Sequence, residues 1–260
     1  MNLTGRSAII AGGAGGLGGA TVRRLAEAGV GVVVLDPDAS SATALVAGFA
    51  HRAAVIQGDS NDDDAMAAAI AAAQSLGTFS IAVSATGVVI RSPRLVSADG
   101  SVMPKEVLLQ NLDLHVCGPF NLVRLSAAAF AHTEPDGVGQ RGVIVQTASI
   151  SAFDGQVTMV PYAAAKGAVV SMILPMARDL APLGIRVCAI APGAMATPRL
   201  TSSPHAAAML MGDIVFPKRL GTPDEYAFLA EAIIRNPYLN GEVIRLDGAA
   251  RLSAEMSMPS

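Results

Sequence analysis

The 260-residue sequence contains no tryptophan, and aromatic residues make up only 4% of it. Proteins that hold single-stranded nucleic acid stack its bases on aromatic side chains, so this scarcity argues against nucleic-acid binding. Charged residues are also few, at 15%, and the net charge of −3 is too nearly balanced to attract a phosphate backbone or an anionic membrane surface. The composition therefore predicts neither nucleic acid nor a membrane as a partner.

Long apolar runs and cysteine clusters are missing as well. No uninterrupted apolar run reaches the roughly 18 residues that a membrane-spanning helix needs. The N-terminus, MNLTGRSAIIAGG, lacks the ordered charged, apolar and cleavage regions of a signal peptide. The two cysteines, Cys117 and Cys188, lie in apolar stretches and are expected to be small buried residues rather than a disulfide or metal site. We therefore expect a cytoplasmic protein without a bound metal.

Apolar residues, by contrast, make up 52% of the chain, enough for one large domain with a substantial core. Short apolar runs alternate with helical segments, and most runs are continuous, which is typical of parallel strands buried on both faces. This alternation predicts a doubly wound α/β sheet with helices on both faces. The predicted strands are 7–11, 32–35, 53–57, 81–84, 143–147, 187–191 and 243–246, and the predicted helices are 16–28, 40–49, 62–75, 103–131, 160–182 and 223–235.

Two further segments have local sequence patterns that predict a helix N-terminus and a lid. Asn61 is expected to cap the helix that follows it, with Asp62, Asp63 and Asp64 placing negative charge in the first turn. The same three carboxylates could bind a metal, but capping accounts for them. The segment 194–219 reads as irregular, rich in Pro, Ser and Met, and follows a strand, so we expect it to form a lid over a ligand crevice.

The first predicted strand runs into a glycine-rich turn, GGAGGLGG, and a helix follows. Such a turn lets the backbone approach a pyrophosphate, which the helix N-terminus attracts. Two glycine frames fit: Gly13, Gly15 and Gly18 match G-x-G-x-x-G, whereas Gly12, Gly16 and Gly18 match G-x-x-x-G-x-G. Either frame predicts a dinucleotide site.

Asp36 ends the second predicted strand, eighteen residues after Gly18. A carboxylate at this place accepts hydrogen bonds from the adenosine ribose hydroxyls and repels a 2′-phosphate. No Lys or Arg in the glycine turn or at 37–39 offsets that repulsion. The sequence therefore predicts NAD rather than NADP as cofactor.

Tyr162 and Lys166 are four residues apart on a predicted helix, so their side chains share one face. A phenol with its ordinary pKa of about 10 exchanges protons poorly at neutral pH, and a nearby ammonium lowers that pKa. Ser149 follows the strand 143–147, where it is placed to hydrogen-bond a substrate oxygen. Together with the glycine turn, these residues predict hydride-coupled proton transfer on a secondary alcohol or ketone.

With these residues, the sequence resembles the short-chain dehydrogenase/reductase family along its whole length. The resemblance is closest in GQRGVIVQTAS, YAAAKGAVV, ARDLAPLGIRV, APG, RLGTPDEYA and NPYLNGEVIRLDGA, which look like the type II 3-hydroxyacyl-CoA dehydrogenases, also known as type 10 17β-hydroxysteroid dehydrogenases. It implies one Rossmann-like domain over residues 1–260, with a cofactor half at about 1–140 and a catalytic half at about 141–260. It also implies a homotetramer.

The resemblance also assigns roles. It makes Ser149 the residue that orients the substrate oxygen, Tyr162 the acid/base, and Lys166 the residue that lowers the tyrosine pKa. The cofactor contacts that it implies, together with those predicted above, are Gly12, Gly15, Gly16, Leu17, Gly18, Asp36, Asp59, Ser60, Ala85, Gly87, Tyr162, Lys166, Pro192, Met195 and Thr197.

The chain departs from the family pattern in three places. Ala11 replaces the threonine that usually opens the glycine motif, and the Asn-Asn-Ala-Gly segment after the fourth strand is here 84–87, SATG. In LDLHVCGPFN, His115 stands where the family has an active-site asparagine that supports a water relay from the lysine to solvent. Imidazole both donates and accepts hydrogen bonds, so His115 either serves this relay or only fills the space.

We therefore expect a small-molecule oxidoreductase. The resemblance implies a short 3-hydroxyacyl-CoA as the first substrate and a hydroxysteroid as the second. A 3-ketoacyl-carrier-protein reductase is the third, although such enzymes commonly use NADPH, which Asp36 disfavours. An alternative from a different functional class is an NAD-binding regulatory or scaffold protein with little catalysis. The changes from the family pattern at Ala11, Ser84 and His115 support it. The intact Ser149, Tyr162 and Lys166 favour the enzyme.

Overall fold

A computed structural model describes residues 1–255. Seven parallel strands form one sheet in the order β3-β2-β1-β4-β5-β6-β7, so the order reverses between β1 and β4. The predicted doubly wound sheet is confirmed, and each predicted strand lies within an observed one. The strands are β1 (Arg6–Ala11), β2 (Gly31–Asp36), β3 (Ala53–Gln57), β4 (Thr78–Ser84), β5 (Gly142–Thr147), β6 (Ile185–Pro192) and β7 (Val243–Leu246).

Helices cover both faces of the sheet because alternate strand residues point to opposite sides. One core combines strand residues with buried side chains of α1, α2 and α9, and the other does so with α3, α5 and α6. Val143 and Val145 belong to the first core, and the intervening Ile144 to the second. The helices are α1 (Gly16–Glu27), α2 (Ala39–Val46), α3 (Asp63–Leu76), α4 (Lys105–Leu112), α5 (Gly118–Ala131), α6 (Val160–Leu180), α7 (Pro198–Thr201), α8 (Pro204–Gly212) and α9 (Pro223–Arg235).

Two predicted helices are interrupted. The predicted helix 103–131 is divided into α4 and α5 by a π-helical turn at Asp113–Cys117, which contains His115. A π turn inserts one extra residue and so changes which side chains face the sheet, a change that hydrophobic spacing does not reveal. The predicted helix 40–49 is α2 followed by a 3-10 segment, Ala47–Arg52, in which Phe49 has non-helical dihedral angles.

Three other local predictions were wrong. Asp62, not Asn61, caps α3, because the Asp62 carboxylate accepts hydrogen bonds from the amides of Asp64 and Ala65. The segment 194–219 is not irregular throughout, since it contains α7 and α8, each beginning at a proline whose fixed φ suits the first helical position. Cys117 is exposed on the π turn, whereas Cys188 is buried as expected, and both thiols are free.

The stretch Val160–Leu183, which begins with α6, is long and apolar enough to cross a membrane by length and composition alone. The core helix of a soluble protein passes the same test. Here α6 packs on the sheet through Ala165, Val169, Ile173 and Ala177. Its burial against the sheet accounts for its apolar composition.

Candidate active site

The site is built at the carboxyl edge of the sheet, where all seven parallel strands end. In α/β sheets ligands bind at this edge, next to the place where strand order reverses. The glycine turn follows β1, and the segment 84–87 follows the neighbouring strand β4. Ser149 follows β5, one strand further along. The topology therefore brings the predicted cofactor and catalytic segments to one edge.

The glycine turn is held tightly against its surroundings. Gly12 has a φ of +73°, and a Cβ there would lie 2.8 Å from the carbonyl oxygen of Ala85. A Cβ on Gly18 would collide with the carbonyl oxygen of Gly12, and one on Gly16 would lie 2.9 Å from Cγ2 of Thr197. Gly15 has more room, with its nearest neighbour at 3.3 Å. Gly13 is as tight as Gly12, with a Cβ position 2.9 Å from the carbonyl oxygen of Ile10, so the roomier Gly15 alone favours the Gly12, Gly16, Gly18 frame.

The N-terminus of α1 fits a pyrophosphate. Gly15 is its N-cap and, among the described residues, no side chain caps it by a hydrogen bond. The first amides of a helix have no partner within the helix, so those of α1 remain available to an anion beside the positive end of the helix dipole. Leu17 lies half-buried in this first turn.

Asp36 lies at the end of β2 and is 8% exposed. Its Oδ2 accepts a hydrogen bond from the amide of Ala14 at 2.9 Å, and its Oδ1 accepts one from the amide of Asp38 at 2.9 Å. The carboxylate therefore ties the glycine turn to β2. Each oxygen keeps a second lone pair for a ribose hydroxyl.

Asp59 and Ser60, predicted near the adenine, follow β3 and pack against the start of α5. A Cβ on Gly118 would lie 2.8 Å from Oγ of Ser60 and 3.4 Å from Oδ1 of Asp59. Asn121 donates a hydrogen bond to the carbonyl oxygen of Ser60 at 2.8 Å. These contacts place both residues at the same edge of the sheet as Asp36.

The predicted nicotinamide side is formed by the ends of β4 and β6. The amide of Ala85 donates to the carbonyl oxygen of Ala11 at 2.8 Å, which holds 84–87 beside the glycine turn. Pro192 ends β6, and Met195, 6% exposed, follows it. The Thr197 side chain lies over Gly16.

Tyr162 and Lys166 lie in the first two turns of α6, 6% and 2% exposed. The Lys166 ammonium donates a hydrogen bond to the carbonyl oxygen of Thr147 at 2.9 Å, and it lies 6.0 Å from the centre of the Tyr162 ring. Oγ of Ser149 accepts a hydrogen bond from the amide of Ser151 at 3.1 Å, and the Ser149 hydroxyl lies within hydrogen-bond reach of Tyr162, where it can donate to the phenolate or to a substrate oxygen. The structure thus brings the three predicted catalytic residues together.

The electrostatics of this group explain why a cation is needed. Burial raises the pKa of Tyr162 above its ordinary value, while the Ser149 hydroxyl acts in the opposite direction. Burial lowers the pKa of Lys166 to about 8, so the lysine is still mostly protonated at neutral pH. The phenol therefore depends on Lys166, and on the positive ring of an oxidised nicotinamide, to release its proton.

His115 is fully buried on the π turn, edge-on to the Tyr162 ring with 5.1 Å between the ring centres. Neither of its ring nitrogens has a well-formed hydrogen bond within residues 1–255. Burial, and then the charge of Lys166, lower the pKa of His115 to about 3, against a smaller rise from the nearby Val88 backbone, so the imidazole is neutral. Gly87, with a φ of +118°, makes room for it, because a Cβ there would lie 2.5 Å from Nδ1 of His115.

Comparison with known proteins agrees with this geometry. The model of the short chain dehydrogenase family matches residues 6–207. This chain belongs to the short-chain dehydrogenase family. Human 3-hydroxyacyl-CoA dehydrogenase type-2 is 44% identical over 253 residues, which cover 96% of this chain and 97% of the human one. Our chain is therefore an oxidoreductase of that family.

Solved structures show the same likeness. The 3-hydroxyacyl-CoA dehydrogenase type-2 of Mycobacterium avium has a TM-score of 0.93 at 45% identity, covering 96% of this chain and 98% of that one. A 7α-hydroxysteroid dehydrogenase complexed with NADH and 7-oxo glycochenodeoxycholic acid has a TM-score of 0.84 at 28% identity, covering 98% and 97%. These structures support a nicotinamide cofactor for this dehydrogenase.

An open groove of about 410 Å³ lies beside α8. Four segments line it: the loop after β4, the loop before α6, α8, and the segment after β7 that contains Glu255. The loops are joined at Ser92, whose amide and hydroxyl both donate to the carbonyl oxygen of Thr158. The charged or titratable residues on its walls are Arg91, Arg94, His205 and Glu255.

Reasoning from the sequence missed two residues next to the catalytic group, Thr147 and Tyr226. Oγ1 of Thr147 donates to the carbonyl oxygen of Ser84 at 2.5 Å and lies 2.6 Å from the Tyr226 hydroxyl. Thr147 stands two residues before Ser149, which is a weak signal. Tyr226 is 79 residues away from Thr147 and belongs to no local motif, so only the folded chain reveals it.

Proposed function

We propose that this dehydrogenase oxidises a short 3-hydroxyacyl-CoA to the 3-ketoacyl-CoA with NAD, reversibly. The observation that most supports this proposal is the buried group of Tyr162, Lys166 and Ser149. It lies at the carboxyl edge of the sheet, where the uncapped N-terminus of α1 also lies. The 44% identity to a 3-hydroxyacyl-CoA dehydrogenase over nearly the whole chain supports the substrate class. A regulatory or scaffold protein would not need this catalytic group.

Each catalytic side chain has one task in the reaction. The Ser149 hydroxyl donates a hydrogen bond to the substrate oxygen and holds the carbinol carbon in place. Tyr162, as phenolate, takes the hydroxyl proton while the carbinol carbon loses hydride. The Lys166 ammonium stabilises that phenolate. NAD, when bound, accepts the hydride, and His115 lies beside the tyrosine where the proton must leave.

We infer NAD rather than NADP from Asp36. A 2′-phosphate on the adenosine ribose would meet the carboxylate that holds Ala14, and displacing it would break the link between the glycine turn and β2. Residues 37–39 supply no Lys or Arg to balance the added negative charge. NADH in the related 7α-hydroxysteroid dehydrogenase is consistent with this preference.

The charge of the groove favours an acyl-CoA over a steroid. Arg91 and Arg94 line the groove, and so does His205 at the start of α8. Glu255 is the one acidic residue on the described walls, and its ion pair with Arg94, at 3.3 Å, is exposed and therefore weak. A CoA thioester carries phosphates that can compete for Arg94, and a steroid carries none.

This proposal is tested with a panel of alcohols and with NAD and NADP. We expect turnover of 3-hydroxybutyryl-CoA with NAD at least about 10-fold faster than with NADP. We expect Arg94→Ala to raise KM for this substrate about 10-fold and to leave KM unchanged for the N-acetylcysteamine thioester, which has no phosphate. Arg23→Ala, on the exposed surface of α1, is the matched control. Turnover of steroid alcohols only would overturn the substrate assignment.

We propose that the enzyme is a cytoplasmic homotetramer. Apolar side chains are exposed on the helices that flank the active site, including Phe120 of α5 and Val160 and Leu174 of α6, 46%, 48% and 45% exposed. Exposed apolar surface of this kind is typical of contacts between subunits. Free thiols at Cys117 and Cys188 suit a reducing compartment.

A further inference from the structure

We propose that Tyr226 is a positioning residue for Lys166, acting through Thr147 across the sheet. The inference rests on the dehydrogenase chemistry of Tyr162 and Lys166, but not on the identity of the substrate. Tyr226 lies on α9, in the core formed with α1 and α2, whereas Lys166 lies on α6 on the opposite face. Thr147, at the end of β5, connects them.

The direction of the hydrogen bonds follows from counting hydrogens. The Thr147 hydroxyl has a single hydrogen, which it donates to the carbonyl oxygen of Ser84. Its contact of 2.6 Å with Tyr226 must then be a bond that the tyrosine donates. The backbone carbonyl of the same threonine accepts from Lys166 at 2.9 Å. One residue therefore joins the Tyr226 hydroxyl to the catalytic ammonium.

On the β6 side, Thr147 pairs with Ile190 and the amide of Ala148 donates to the Ile190 carbonyl at 2.8 Å, whereas on the β4 side the sheet gives Thr147 less support. The pairing of β4 with β5 ends at Ser84 and Gln146, one residue earlier. The Thr147 hydroxyl replaces the next link to β4 by bonding the Ser84 carbonyl. Without the bond from Tyr226, this hydroxyl would keep only that link, and the Thr147 peptide, still bonded to β6, would be positioned less firmly toward Lys166 on its β4 side.

Tyr226 is itself held rigidly. It is 0% exposed, and burial raises its pKa to about 12, so it keeps its hydrogen throughout the working pH range. It follows Glu225, which closes the capping box of α9 with Thr222 and receives two hydrogen bonds from Arg219. The Tyr226 hydroxyl therefore approaches Thr147 from the capped N-terminal turn of α9, which is held in place by these bonds.

The expected consequence concerns the charge on Lys166. Its buried ammonium has one acceptor among the described protein atoms, the Thr147 carbonyl. A weaker bond to that oxygen destabilises the ammonium and lowers the lysine pKa further, and the phenolate of Tyr162 then loses its counter-charge. Removing the distant hydroxyl should therefore raise the pKa of the catalytic tyrosine.

The first test is the pH profile of Tyr226→Phe, which removes the hydroxyl and keeps the ring. We expect the acidic limb of kcat/KM for alcohol oxidation to move up by about half a pH unit and kcat to fall about 5-fold. Thr147→Val, which also removes the bond to the Ser84 carbonyl, should give at least this shift, and adding Tyr226→Phe to it should shift the limb no further. Thr147→Ser, which keeps the hydroxyl, should restore the profile.

A second readout needs no substrate. The chain has three tyrosines and no tryptophan, so the ultraviolet absorbance of phenolate is assignable. In a Tyr238→Phe background, which removes the 96% exposed tyrosine, only Tyr162 and Tyr226 remain. With NAD bound, adding Tyr226→Phe should shift the Tyr162 titration to higher pH. Tyr238→Phe alone is also the matched control for loss of a tyrosine hydroxyl.

The outcomes separate a positioning role from packing. A lower melting temperature with an unchanged acidic limb and an unchanged Tyr162 titration would overturn the proposal, because Tyr226 would then contribute only to the core. If the enzyme turns over no 3-hydroxyacyl-CoA, the proposed substrate is wrong, while the Tyr162 titration still decides the role of Tyr226.

Discussion

Two groups of residues beside the Tyr162 ring differ in how their polar atoms are satisfied. In one group, Lys166 bonds the Thr147 carbonyl, and Thr147 bonds both Ser84 and Tyr226. In the other group, His115 packs in a T-shaped arrangement with the ring, and neither of its nitrogens has a well-formed hydrogen bond among the described residues. We call these the lysine side and the histidine side.

Buried polar atoms without partners are rare in folded proteins, because each costs about 1–3 kcal/mol. The histidine side contains further ones: Oδ1 of Asn111, one turn before the π turn, lacks a partner within residues 1–255. Such atoms suit ordered water, which can bridge them and carry a proton. The comparison suggests that the lysine side holds charge in place and the histidine side passes protons by way of water.

The largest effect is expected from breaking the lysine side. Lys166→Met removes the ammonium and keeps the side chain's bulk, so the Tyr162 phenolate loses its buried counter-charge. We expect kcat to fall on the order of 10³-fold, measured with 3-hydroxybutyryl-CoA. NAD affinity, measured by calorimetry, should fall much less than kcat. A loss of kcat below about 10-fold would contradict the division of roles.

A smaller effect is expected from crowding the histidine side. Gly87→Ala places a Cβ against Nδ1 of His115 and forces alanine into a φ of +118°. We expect about 2 kcal/mol of lost stability in denaturant unfolding and a kcat about 10-fold lower. Gly100→Ala is the matched control, since Gly100 has a φ of +83° but no described atom within 4 Å of its Cβ position. Equal kcat losses in both variants would show that His115 does not matter.

The smallest effect is expected in the acid stability of the histidine side. His115 has a folded pKa of about 3 against an ordinary 6.5, so below pH 6.5 the unfolded chain binds a proton that the folded chain does not. Its contribution to stability is complete above pH 6.5 and is lost as the pH falls toward 3. Between pH 6.5 and about 4.5, wild type should lose about 2 kcal/mol more than His115→Asn.

Urea unfolding at several pH values measures this difference. His132→Asn, at an exposed position, is the control and should follow wild type. If His115→Asn loses as much stability on acidification as wild type, the imidazole is not buried in its neutral form.

Much of the fold was predictable because its signals are local. Continuous apolar runs predicted all seven strands, and the spacing of Tyr162, Lys166 and Ser149 predicted which residues meet, since strand ends share one edge of a parallel sheet. The chemistry of those side chains is a property of residue type. The cap at Asp62 and the helices in 194–219 were mispredicted because neighbouring polar residues and prolines compete for the same local roles.

The amino-acid sequence by itself determined the sheet, the glycine turn and the identity of the catalytic side chains. Only the tertiary structure decided that Tyr226 reaches Thr147 across 79 residues, that a π turn carries His115 to the tyrosine ring, and that Gly87 makes room for it. The physical reason is that burial and hydrogen bonding arise between segments brought together by folding. Residue types limit what a side chain can do, and its folded neighbours set its pKa and its partner.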